Sequence, residues 1–244
     1  MVVLLAGALV TVAPGMGLYG DSLAPWFIPL REAVYEQTLS ADDLSPLYEK
    51  ARKETEKNLH GPARYLTLSR CAYMLGRAYQ YEGRKDEAAQ QYEQGIRWAN
   101  AALKEAETSE GYQMLAEHIS QSCAVRPVSY ALANGGKVET YAKKALELDR
   151  RNGAARIMIA ARYVYAPAPF HNYKRGIQMM QDIINQGDLV LEKDDRFNVY
   201  SAIGYAYYQQ KRHTEAELWL QKALGLYPTN QFVQTLRKSD GSSP

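Results

Sequence analysis

The chain has 244 residues, 46% of them hydrophobic, with 29 basic and 27 acidic side chains and a formal net charge of +2. At that length a fold buries roughly 70% of its surface and needs neither disulfides nor metals to be stable. The near balance of charge leaves no strong electrostatic footprint for nucleic acid, so polyanion binding is disfavoured.

Val2 to Val12 form an apolar stretch of the length of a signal-peptide core, followed by the breakers Pro14, Gly15 and Gly17. It is too short to span a bilayer comfortably. Small residues suited to cleavage stand at Gly20 and Ala24, but Leu18 and Pro25 count against them in turn, so the exit point stays open. No Lys or Arg precedes Arg31, so the usual basic n-region is missing, as expected if translation starts upstream. Residues 1–24 are therefore read as a signal peptide or an uncleaved apolar segment, residues 25–238 as one helical domain, and 239–244 as a flexible polar tail. The expected location is periplasmic or secreted.

Ser45 to Leu59 has the marks of a helix, with Ser45 as N-cap and Pro46 at the first helical position. Gly61-Pro62 ends it, and a long helix through Cys71 follows. From Ser69 to about Asn100 two helical faces succeed one another, Leu75, Gly76 and Tyr79 on the first and Ala88, Tyr92 and Gly95 on the second, with Gly83 in the turn. The second helix is expected to run on through Ala106. A looser hairpin is read next, a helix from about Glu110 to Ala133, kinked at Arg126-Pro127, then a turn at Asn134-Gly135-Gly136 and a helix from Val138 to Asp149. Gly153 to Asp188 gives another pair, with Ile159, Ala160 and Tyr163 on its first helix and Gly176, Met180 and Ile183 on its second. Its turn is enlarged by Ala166-Pro167-Ala168-Pro169-Phe170-His171, a stiff connector or a binding lip.

The last unit is complete. Tyr200, Ile203, Gly204 and Tyr207 share one helical face, a turn follows around Lys211 and Arg212, Ala216, Leu220 and Ala223 share a second face, and Pro228 closes the unit because it has no N–H to donate. Gly204 is expected to face Ala216, where two antiparallel backbones approach. The series W-x2-L-G-x2-Y, A-x3-F, P is that of the tetratricopeptide repeat, so the chain resembles that family over Ser69 to Pro228. The resemblance implies an all-α, right-handed superhelical solenoid of about four hairpins, with a leading helix, whose members usually bind other proteins. Exported bacterial members of similar build accompany solute transporters or envelope assembly machinery.

Chemistry is otherwise sparse. His60, His118, His171 and His213 lie on separate elements with no metal-ligand spacing, and no nucleophile motif or phosphate-cradling loop is present, so no catalytic residue, metal or cofactor is expected. Cys71 and Cys123 are read as two thiols rather than a bridge. Asp194-Asp195 reads as helix-cap material.

In this family the concave wall is lined by first-helix residues turned away from the hairpin's own second helix. Carried onto this chain, that wall holds Arg70, Tyr73, Arg77, Gln80 and Tyr81, then Ile157, Ala161 and Tyr165, then Asn198, Ser201, Tyr205 and Tyr208. Tyrosine and arginine are favoured at interfaces, and this chain has 19 tyrosines against four phenylalanines. Family members that grip a terminal carboxylate use Lys and Asn on this face; Tyr73 and Arg77 stand there instead. An extended peptide or an amphipathic helix is the expected occupant. The rival reading is a small-molecule pocket built from Arg126, Phe170 and His171, in an accessory component of a transport system; a third is an oligomerising subunit.

Overall fold

The computed structural model describes residues 23–238, so the apolar segment at 2–12, Gly20 and the tail 239–244 lie outside it, while Ala24 lies within it. Among the described residues there are eleven helices and no strand. Two lead, α1 (Ile28–Glu36) and α2 (Ser45–Asn58). Four hairpins follow: α3 (Gly61–Tyr81) with α4 (Lys85–Glu105), α5 (Ser109–Val125) with α6 (Val128–Leu148), α7 (Gly153–Tyr165) with α8 (Tyr173–Asn185), and α9 (Lys193–Gln209) with α10 (His213–Leu224). Helix α11 (Gln231–Lys238) trails. Each hairpin packs on the next, giving the all-helical solenoid that the residue pattern implies.

Local chemistry sets most boundaries. The Thr108 hydroxyl accepts from the Gly111 amide at 3.1 Å to open α5, and Asn152 and Asn172 accept from Ala155 and Arg175 to open α7 and α8. Helix α9 starts with a reciprocal box between Glu192 and Asp195. Inside the hairpins a glycine sits under a large neighbour: a methyl group on Gly76 would lie 2.5 Å from the Tyr92 ring, and one on Gly204 2.6 Å from Leu220. The nearest partner of Gly204 is thus Leu220 rather than Ala216, which is itself buried.

Three boundaries differ from the sequence reading. The second hairpin, α5 with α6, turns at Arg126-Pro127, not at Asn134-Gly135-Gly136. Proline cannot donate to the preceding turn and forces the residue before it into extended backbone, and Arg126 has ψ 166°. The two glycines lie within α6 instead, where a methyl group on either would meet nothing. Ser45 is the first helical residue and not a cap, because the backbone of Leu44 is already helical. Finally, the sequence reading contains neither α1 nor α11, and α1 proves central.

Helix α1 closes the coil. Phe27, Leu30, Val34 and Tyr35 are each 0–2% exposed and share one core with Tyr73, Met74 and Tyr92 of the first hairpin, with Phe197 of the last, with Tyr227 just after it and with Val233 of α11. Two further cores fill the remaining hairpins, one around Met180, Val199 and Ile203, the other around Ala99, Ala102 and Leu115.

Candidate functional site

The concave wall is built by the first helix of each hairpin, α3, α5, α7 and α9. Arg77 of α3 stands in it, half-buried. It donates to the Tyr73 hydroxyl at 3.2 Å and to that of Tyr81, and its guanidinium lies over the rings of Tyr81, Tyr35 and Tyr73 at 5.0, 5.7 and 5.8 Å. No carboxylate pairs with it among the described residues. From Arg77 an aromatic strip runs along the wall: Tyr165, then Tyr205 at 5.3 Å between ring centres, then Phe232 at 6.4 Å. Tyr165 is 49% exposed, Phe232 41% and Tyr81 36%, so the strip faces solvent.

Acidic groups stand beside the strip. Burial pushes the Glu117 carboxyl up to about 7, against a hydrogen bond from Gln113 and the charge of Arg70. Asp194 and Asp195 are also raised, by burial first, with Arg31 opposing for Asp194 and Asp194 adding to the rise for Asp195. The wall therefore offers aromatic area, a guanidinium and carboxyls that hold a proton more readily than usual.

Part of this wall is already occupied. Helix α1 bridges the first hairpin to the last: Arg31, 7% exposed, pairs with Glu192 and Asp194 at 3.4 Å each, and Glu32 pairs with Lys193. Tyr35 stacks on Tyr227 at 5.0 Å, meets Phe197 edge-on at 5.4 Å, and accepts at its hydroxyl from Asn198 at 3.1 Å. The Thr229 hydroxyl donates to the Glu36 carbonyl at 2.7 Å.

The eight residues expected in the groove consequently divide. Arg70 pairs with Glu110 across α3 and α5 at 3.2 Å. Tyr73 is 7% exposed, its ring against Tyr92 and His118. Asn198 is held by Tyr35, and Ser201, 4% exposed, donates to the Asn198 carbonyl. These four serve the fold. Arg77, Tyr81 and Tyr205 face the open part of the wall, while Tyr208 lies edge-on to His213. Sequence reasoning missed Glu117 and Phe232. The signal for Glu117 was present: Glu110, Gln113, Glu117 and Gln121 form a stripe of long polar side chains at helical spacing along α5.

The residues of the rival pocket are dispersed over an edge. Arg126 pairs with Glu93 at 3.0 Å and covers the Tyr130 ring, His171 stacks on Tyr173 at 4.4 Å, and Phe170 is 75% exposed. A shallow hollow of about 350 Å³ lies elsewhere, between α1 and α2, lined by Trp26, Leu47 and Glu54 among others. Both cysteines are free thiols, that of Cys71 pushed up to about 12 by burial. Among the described residues no three His, Cys, Asp or Glu side chains converge as metal ligands, and no helix is long and apolar enough to cross a membrane.

Residues 69–101 and 197–230 each match a family model of the tetratricopeptide repeat. These segments take in most of α3 and of α4, and most of α9 with all of α10. No curated protein matches the chain.

Proposed function

The chain belongs to the tetratricopeptide-repeat family, and on that premise we propose that it is a protein-interaction scaffold of the bacterial cell envelope. In this reading it receives an amphipathic helix or peptide on the part of the concave wall that α1 leaves open. The observation that carries the reading is the strip Arg77, Tyr165, Tyr205 and Phe232, of which Tyr165 and Phe232 are exposed and Arg77 and Tyr205 half-buried. Its guanidinium is hydrogen-bonded to tyrosines and makes no ion pair among the described residues, and such a group next to aromatic area suits a partner's acidic side chain set among apolar ones. Helix α1 supports the choice of a helical occupant, because its Phe27, Leu30 and Val34 side chains show that this wall packs well against one amphipathic helix. The apolar stretch at 2–12 supports export.

The test compares proteins co-purified from native cells by the wild type and by three variants. Arg77→Ala and the pair Tyr165→Ala with Tyr205→Ala are expected to lose the same partner, while Phe170→Ala keeps it. A partner retained by both groove variants, with helical signal and melting temperature intact, would refute the reading. Mass measurement of the mature N-terminus checks export, and retention of Met1 to Gly20 would refute that part.

A further inference from the structure

We propose that the edge formed by the start of α6 and the α7–α8 loop is a docking surface for an anionic lipid bilayer. The observation begins with side chains that have no protein to pack against. Val128 is 74% exposed and Leu132 83%. They lie four residues apart on one helical face, and that face continues to Gly135 and Gly136, around which there is open space. Phe170 is 75% exposed at the tip of the loop 166–171.

These side chains share one end of the molecule. Helices α6 and α7 pack as antiparallel neighbours, and Arg162 of α7 is paired with Glu139 of α6. Leu132 lies seven residues before Glu139, about 10 Å along the helix, and Tyr165 already covers about 5 Å of that span from the α7 side. The six-residue loop beyond Tyr165 therefore stands level with Leu132.

Charge at this edge is predominantly positive. Residues 118–138 and 157–181 contain Arg126, Lys137, Arg162, Lys174 and Arg175 but no Asp or Glu. Arg126 and Arg162 have carboxylate partners from outside these segments. Lys137 and Lys174 have none among the described residues, and Arg175 lies only over the Tyr163 ring. Since the whole chain is nearly neutral, this edge is a local concentration of positive charge around protruding apolar groups.

A bilayer fits that combination better than a protein does. Leu132 and Phe170 are knobs on a convex edge, which acyl chains accommodate without a matching pocket, and flanking Lys and Arg are drawn to anionic headgroups. A second copy docked through the same edge would set these cations against their own kind. With no membrane-crossing helix among the described residues, attachment through this edge is peripheral.

The experiment is co-sedimentation of the full chain with vesicles of phosphatidylcholine alone or with about one third phosphatidylglycerol. The expected result is binding to the anionic vesicles, weakened at 0.5 M salt through screening, with little binding to the neutral ones. Leu132→Ser with Phe170→Ser, and separately Lys174→Glu with Arg175→Glu, should each weaken binding about tenfold or more; all four side chains lie on the outer edge, so the helical signal and melting temperature are expected to stay unchanged. Equal binding to both vesicle types overturns the proposal, as does binding that both variants retain, which would place it in another segment. Absence of binding to either vesicle also overturns it, and an acidic protein lost from both variants in that case would reassign the edge to a protein partner.

Discussion

Tyr35→Ala tests whether α1 holds the ends of the coil together. Tyr35 is 1% exposed, stacked on Tyr227, edge-on to Phe197, and hydrogen-bonded through its hydroxyl to Asn198. Truncating a buried aromatic side chain to alanine costs about 3–5 kcal/mol. Two aromatic contacts add about 0.5–1.5 kcal/mol each beyond burial, which places this residue near the upper end of that range. Tyr35→Phe, which removes only the hydroxyl, is expected to cost about 1 kcal/mol. Against a total stability of about 5–15 kcal/mol, the alanine change is large. With a urea slope of about 2–3 kcal/mol per M, the midpoint falls by about 1–2 M. A solenoid is otherwise held by contacts between neighbouring repeats, and α1 adds a contact between the first and last hairpins. Urea unfolding followed by helical circular dichroism should therefore show one transition for the wild type and a broader or divided one for Tyr35→Ala. A cost below about 1 kcal/mol, with the slope unchanged, would mean that α1 is not seated as described and that the whole concave wall is open.

Three further outcomes follow from the packing and the buried charges. Gly95→Ala restores the small residue usual at this position of the repeat, yet it is expected to destabilise by about 1–3 kcal/mol, because the added methyl would lie 1.9 Å from the His118 ring, which is fully buried; thermal melts should show the loss, and His118→Ala in the same chain should relieve the clash. Arg31→Met removes the cation from Glu192 and Asp194, and at pH 7 should cost about 3 kcal/mol by leaving half-buried carboxylates uncompensated; urea midpoints should show the cost shrinking toward pH 4, where Asp194 and Asp195, both raised, take up protons. The third concerns pH directly. Glu117 holds its proton to about 7 in the fold, beside Gln113, Arg70, Arg77 and Asp194, and gives it up near 4.5 when unfolded, so its contribution is present below 4.5 and is lost as pH rises through 7. His118, lowered to about 3 by burial, does the reverse: its contribution is present above 6.5 and is lost as pH falls toward 3. Glu117→Gln should therefore gain stability relative to wild type at pH 7.5 and not at pH 4.5, as measured by urea midpoints at both values.

What could be read from the letters was whatever is fixed by contacts within one hairpin. Gly76 and Gly204 mark backbone approach, Pro228 marks an end, and Asn152 and Asn172 open helices with their own side chains, so those units follow from local rules. The Asn134-Gly135-Gly136 triplet misled because glycine in a helix costs only about 1 kcal/mol each, whereas Pro127 makes continuation far more costly. Turn propensity lost to the stronger steric rule. Helix α1 was hidden for a different reason: Phe27, Leu30, Val34 and Tyr35 are at helical spacing, but their partners Phe197 and Tyr227 are more than 160 residues away, and spacing along a chain does not report such a contact. That omission widened the groove, since Asn198 and Tyr73 carry the residue types of an interface and serve instead to seat α1.

The electrostatics of that seat explain why it carries so many acids. Glu192, Asp194 and Asp195 crowd the first turn of α9, where the helix dipole and free backbone amides favour negative charge, but burial first, and then their mutual repulsion, raise the pKa of Asp194 and Asp195. Arg31 offsets part of this. Desolvating Arg31 to 7% exposure opposes the gain, so the net contribution of the ion cluster to stability is small compared with that of the apolar face of α1. Its effect is on position. A helix bearing Phe27, Leu30 and Val34 could slide along an apolar wall by one turn at little loss of area, but a shift of one turn, about 5.4 Å, would take Arg31 out of reach of both carboxylates and Tyr35 away from Asn198. The apolar stripe determines that α1 binds the wall, and the charges determine where, which leaves Arg77 half-buried at its edge and Tyr165 open beside it.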